Sequence, residues 1–217
     1  MYRLIRTCLT AATALSIGLL LAACTITSEK QLLTTAEAAA PLPDRFVFYP
    51  YEPGPDGYVR SNDAPVTFVH EGSDYLARDI PDAKGPMDIR FVALGDNAFL
   101  LAAIIAGDEG VVYGFARYAN SVLSIALSPG KASTAALARE RRGAMPKAGK
   151  ALDAISVNQA TDEIAVSSRA ALDYLSGMYL AGRLPMEEPS VAFIAEDPKA
   201  PTPSRLVASE SGWVRVP

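Results

Sequence analysis

Hydrophobic and polar positions change their period three times along this chain. Leu9 to Leu21 is a predominantly apolar stretch of 13 residues. From Arg45 onward the spacing is short and alternating, as in half-buried strands. Phe46 to Tyr49 is β-prone, with Pro50, Pro53, Gly54 and Pro55 expected to end it. Asp56-Gly57 reads as a turn into Tyr58 to Arg60. Pro65 to His70 and Tyr75 to Asp79 read as strands joined by a turn at Glu71 to Asp74. Met87 to Leu94 places Met87, Ile89, Phe91 and Ala93 on one face and Asp88 and Arg90 on the other. Gly95-Asp96-Asn97 is a hairpin signal. Ala98 to Ala106 is apolar throughout, which predicts a central strand covered on both faces. Val111 to Tyr118 and Ser121 to Leu127 complete a meander, with turns at Gly107 to Gly110 and at Ala119-Asn120.

A short echo supports that order. Val66, Phe68, Val69 and Gly72 recur as Ile89, Phe91, Val92 and Gly95, offset by 23. Successive hairpins of one antiparallel sheet, each with a core aromatic ahead of its turn, produce such a repeat.

After Ser128-Pro129-Gly130 the period becomes helical. Ala132 to Arg142 predicts one helix. Ala171, Leu172, Leu175, Met178 and Tyr179 predict a second over Arg169 to Ala181, with Ser167 or Ser168 as its cap and Gly182 and Pro185 beyond its end. Asp153 to Ile164 is mixed and polar. Val191 to Ile194 and Trp213 to Val216 read as late strands, and Pro198, Pro201 and Pro203 mark a loop between them. The fold class expected is α+β: an antiparallel β-meander packed by C-terminal helices, as a single domain over residues 45–217.

The start of the chain follows a different logic. Arg3 and Arg6 precede the apolar run, and Leu21-Ala22-Ala23-Cys24 follows it. A membrane-spanning helix needs about 20 apolar residues, so this run suits a removable signal segment better. Together these residues resemble the signal and lipobox of a bacterial lipoprotein. The resemblance covers residues 1–24. It implies a signal peptide over residues 1–23, three acyl chains on Cys24, and attachment to the periplasmic face of the cell envelope. Thr25, standing where Asp commonly marks inner-membrane retention, favours the outer membrane. Stable anchoring needs more than one acyl chain, at about 0.8 kcal/mol per buried CH₂.

Loss of the signal removes Arg3, Arg6 and Cys8. Lys+Arg then falls from 20 to 18 against 24 Asp+Glu, a net charge of −6. That argues against a nucleic-acid partner. With Cys24 acylated no thiol is left for a disulfide, so a core must supply the stability. Residues 24–44, rich in Ala, Ser, Thr and Glu with Pro41 and Pro43, read as a lipidated start and flexible tether; a short helix over Glu29 to Ala40, capped by Ser28, is the alternative.

Motifs for chemistry are few. His70 is the single histidine, and a strand position suits an ordinary structural role. No zinc or cofactor set is expected. Ser128 and Lys131 match the Ser-x-x-Lys spacing of a nucleophile and its base, which requires both on one helix turn. Pro129 and Gly130 between them oppose that. Glu71, Asp74, Asp79, Asp82, Asp96, Asp108 and Glu109 read as solvated turn carboxylates. Lys131, Arg139, Arg141, Arg142, Lys147 and Lys150, against Glu140, form a basic segment read as a solvated helix face. Tyr49, Tyr51, Tyr58 and Tyr75 suit either a sticky surface or a sheet core. The expected role is non-catalytic binding or assembly, with an envelope protein or glycan as partner. The alternatives are a carrier of a small apolar ligand inside a curled sheet and a hydrolase using Ser128 and Lys131.

Overall fold

The computed structural model describes residues 25–62, 64–78, 85–105, 110–143, 146–187, 191–195, 205–209 and 212–216. Among the described residues strands predominate, their pairing is mostly antiparallel, and three helices lie in the C-terminal half. In order these are β1 (Ile26–Ser28), β2 (Ala38–Ala39), β3 (Arg45–Gly54), β4 (Gly57–Arg60), β5 (Val66–Glu71), β6 (Asp74–Arg78), β7 (Met87–Gly95), β8 (Ala98–Ile105), β9 (Val111–Ala119) and β10 (Val122–Ala126). Helices α1 (Gly130–Gly143) and α2 (Pro146–Asp153) follow, then β11 (Ile155–Asn158), β12 (Glu163–Val166) and α3 (Arg169–Leu180). The last strands are β13 (Val191–Ala195), β14 (Arg205–Ser209) and β15 (Gly212–Val216).

The meander from β5 to β10 forms as the alternation predicts. Asp96 and Asn97 have φ of 47° and 59°, and Asn120 and Ser121 have 52° and 63°. Positive φ at both central residues suits the right-handed twist of a tight hairpin.

The sheet then closes on itself. β10 pairs with β13, β13 pairs with β3, and β3 pairs with β5. Eight strands, β3, β5 to β10 and β13, thus make an antiparallel ring. A ring of eight is just wide enough for side chains to fill it. Its interior holds Val66, Phe68, Tyr75, Phe91, Leu101 and Leu123, all buried. Tyr75 meets Phe91 edge-on at 5.7 Å between ring centroids, and Phe91 meets Phe99 at 6.1 Å. The outward residues of the same strands, among them Leu100, Tyr113 and Phe115, pack against Leu137, Leu172, Leu175 and Met178 of α1 and α3. Ser168 caps α3 by accepting the Ala171 N–H at 3.2 Å.

Two forks extend the ring. The edge of β9 carries β1 along Val111 to Tyr113 and β10 along Phe115 to Ala119. β1 passes the edge on to β12 in a parallel pair, and β12 to β11, so the sheet is not purely antiparallel. The edge of β3 carries β5 up to Phe48 and β4 from Tyr51. Pro50 sits at that change of partner and Pro53 beyond it, so β3 continues through both prolines instead of ending. At a fork the ladder already has a gap, and a missing N–H costs little there. β14 and β15 extend β4. The β11–β12 hairpin and β14 have no sequence signal comparable to the meander's.

The segment expected to be a flexible tether is part of the fold. Thr25 is 3% exposed and Ile26 0%. Three apolar contacts outweigh the polar composition: Ile26 and Leu33 join the cluster beneath the helices, and Leu42 joins the ring interior. No helix forms over Glu29 to Ala40. A single 3-10 turn, Thr35–Glu37, is closed by a capping box between Thr34 and Glu37.

Candidate functional site

The N-terminal strap, residues 25–44, is built by specific polar contacts. The Leu32 N–H donates to the Tyr113 hydroxyl at 2.8 Å. Arg90 donates through Nε and Nη2 to the Asp74 carboxylate at 2.6 and 2.7 Å, and through Nη1 to the Leu33 carbonyl at 2.6 Å. Arg169 on α3 pairs with Glu37 at 2.6 Å. Donation from the Thr34 side chain and backbone, with Arg169 nearby, holds the Glu37 carboxyl below its ordinary range. At the ring mouth the Tyr75 hydroxyl donates to the Leu42 carbonyl at 2.5 Å and accepts its N–H at 3.1 Å. Leu42 is thereby seated as a plug.

Burial pushes the Tyr75 and Tyr113 hydroxyls above their ordinary pKa. The folded state therefore holds those protons more tightly than the unfolded chain. Their stabilising effect is complete below the unfolded value of about 10 and is lost as pH rises toward the folded value. The melting temperature is expected to fall as pH rises above about 10. Replacing both tyrosines with phenylalanine should flatten that drop; an unchanged drop would assign it to other groups.

The residues singled out by sequence do not converge. Cys24 and residues 1–23 lie outside the described residues, as do Asp79, Asp82, Asp108 and Glu109. Ser128 is buried and its carbonyl accepts the Glu187 N–H at 2.9 Å, whereas Lys131 is exposed. Because α1 begins at Gly130, Ser128 precedes the helix and the two do not share a turn. His70 Nδ1 lies 3.5 Å from Asp44, and its ring stacks on Tyr75 at 4.8 Å. That contact is structural, tying β5 to the start of β3.

Tyr51, Tyr58 and Tyr75 are 1%, 2% and 0% exposed. They are core, so no aromatic surface forms between Tyr49 and Tyr58; Tyr49 itself carries the Arg60 guanidinium at 3.9 Å. Asp74 is spent on Arg90, and Glu71 faces Arg78 at 3.5 Å. Within the basic segment, Arg141 turns back to the Leu152 and Ile155 carbonyls, while Arg139, Arg142 and Lys150 are exposed. Glu140 accepts from Tyr174 at 2.8 Å and from Arg183 at 2.7 Å.

An open groove of about 400 Å³ runs beside β1, lined by Thr27, Ser28, Lys30, Asp153, Ile155 and Ser167 among others. Among the described residues no three His, Cys, Asp or Glu side chains gather as a metal site, and no helix is long and apolar enough to cross a membrane. Sequence reasoning missed Arg90, Asp74 and Tyr113 as the posts that hold the strap. Arg90 shows only as a polar residue on an alternating strand, which does not reveal a partner 57 residues away at Leu33.

Comparison with family models, curated proteins and solved structures found no match.

Proposed function

We propose that this is a lipid-anchored envelope protein with a non-catalytic binding or assembly role. It is held through acyl chains on Cys24 at the periplasmic face, with the outer membrane favoured. In this reading the strap and residues 45–217 make one α+β domain, and its partner is an envelope protein or glycan. One observation supports it above the others: the cleavage point implied by the signal falls two residues ahead of a strand of the folded sheet. Removing residues 1–23 would leave β1 and the strap intact. The non-catalytic part is supported by Ser128 and Lys131, which lack the shared helix turn their chemistry requires.

Replacement of Cys24 with serine tests the anchor. The variant is expected to lose metabolic labelling by palmitate and to leave the membrane fraction. Membrane retention without label would overturn the reading. Crosslinking in intact envelopes, followed by mass spectrometry, addresses the partner.

The carrier alternative draws support from the closed ring, since eight strands also suit one small ligand. The aromatic side chains inside the ring oppose it. Native mass spectrometry of the purified protein separates the two readings, because a carrier would retain a bound apolar molecule.

A further inference from the structure

The start of β1 is fixed on both sides. Ile26 stands opposite Tyr113 of β9 and beside Ile164 of β12, and the Ile164 N–H donates to the Thr25 carbonyl at 2.9 Å. The next stretch of the β9 edge is already taken, because Phe115 pairs with Ala126 of β10. A strand running back from Thr25 would collide with the end of β10. The β9 edge is therefore filled on both sides of Gly114. Consecutive Cα atoms are about 3.8 Å apart, so the Cys24 Cα lies that close to the buried Thr25.

We propose that the protein has no leash: the acyl chains hold the β10–β1 junction wall of the ring directly against the bilayer, and the wall formed by β5 and β6 faces away. This rests on the reading that Cys24 is acylated. A flexible tether of 20 residues would let the domain wander by about 25 Å. Burial of Thr25 and pairing of β1 on both sides remove that slack and keep this junction beside the headgroups. Any partner would then meet the β5–β6 wall or the ring ends, and not the junction wall.

Signal removal and acylation leave no free thiol, so one introduced cysteine carries one label. Lys131→Cys and Ala132→Cys, both exposed at the start of α1 just after β10, report the junction wall. Arg78→Cys, exposed on β6, reports the opposite side. The acylated full-length protein is labelled with bimane and reconstituted in phosphatidylethanolamine/phosphatidylglycerol vesicles containing headgroup-nitroxide lipid. Quenching is expected at residues 131 and 132 and not at 78. It should be lost at 131 and 132 when about 20 Gly/Ser residues are inserted between Cys24 and Thr25.

Equal quenching at all three positions, none at any, or the reverse order would overturn the proposal. So would a pattern that survives the insertion, because the wall would then bind lipid unaided. Vesicle flotation of every sample, with Cys24→Ser alongside, keeps failure of the anchor distinct: flotation of the serine variant sinks the acylation reading, whereas an anchored protein without the quenching pattern sinks only the orientation.

Discussion

Replacing Gly114 with valine is expected to remove about 3 kcal/mol of stability, since it forces extra carbons into a packed site. A Cβ built on Gly114 would lie 2.6 Å from Leu127 Cδ2 and 2.8 Å from the Ala126 carbonyl oxygen. The side chain of Leu127 can move, but the carbonyl belongs to the backbone of β10. Gly114 also sits between the β1 and β10 segments of the β9 edge. Relief of the clash therefore means shifting a ring strand. For a chain of this size the loss corresponds to a fall in melting temperature of roughly 6–12 °C. Thermal unfolding followed by circular dichroism checks it, with Gly114→Ala as the graded case. A valine variant melting with the native protein would show that β9 and β10 are not held this closely.

The second large effect is expected at Arg90. Arg90→Leu would leave the Asp74 carboxylate and the Leu33 carbonyl without their donor. The arginine side chain is 11% exposed and that of Asp74 25%. Breaking a buried pair on one side typically costs 3–5 kcal/mol. Asp74 keeps some access to water, so about 3 kcal/mol is expected. The loss should concentrate in the strap, whose amides near Leu33 are expected to exchange faster with deuterium than those of the ring. Adding Asp74→Leu should recover part of the stability, because the orphaned charge goes with it. If the double variant is no more stable than the single one, the carboxylate is not what the arginine neutralises.

The meander was legible because its strands are half-buried, and half-burial prints a period of two. Met87 to Phe91 shows this, and Phe68 and Phe91 do enter the ring interior as the echo between them implies; the alternation stops there, because Val92 is buried under the helices and Ala93, expected on the inward face, is exposed. Residues 169–180 were equally legible: a helix with one buried stripe prints its own period, and Ser168 marks its start. The strap was not legible. Leu33 and Leu42 are single apolar residues in a polar, alanine-rich segment, and their burial depends on Tyr113, Arg90 and Tyr75. Tyr51 and Tyr58 were ambiguous for a related reason. An aromatic residue beside proline turns reads the same whether its neighbour is water or Leu206.

By itself the sequence determined the local periods and the tight turns, and it carries the resemblance to a lipoprotein signal up to Cys24. Each is a property of residues near one another in the chain, where sterics and alternation act directly. Tertiary structure alone decided that the meander closes through β13 into a ring, and that the β9 edge is divided between β1 and β10. It also decided that the stretch after Cys24 is a strap and not a tether. Those outcomes depend on which distant surfaces meet. Ile26, 138 residues from Ile164, is buried because a partner strand comes to lie beside it, and no local pattern records where that partner will be.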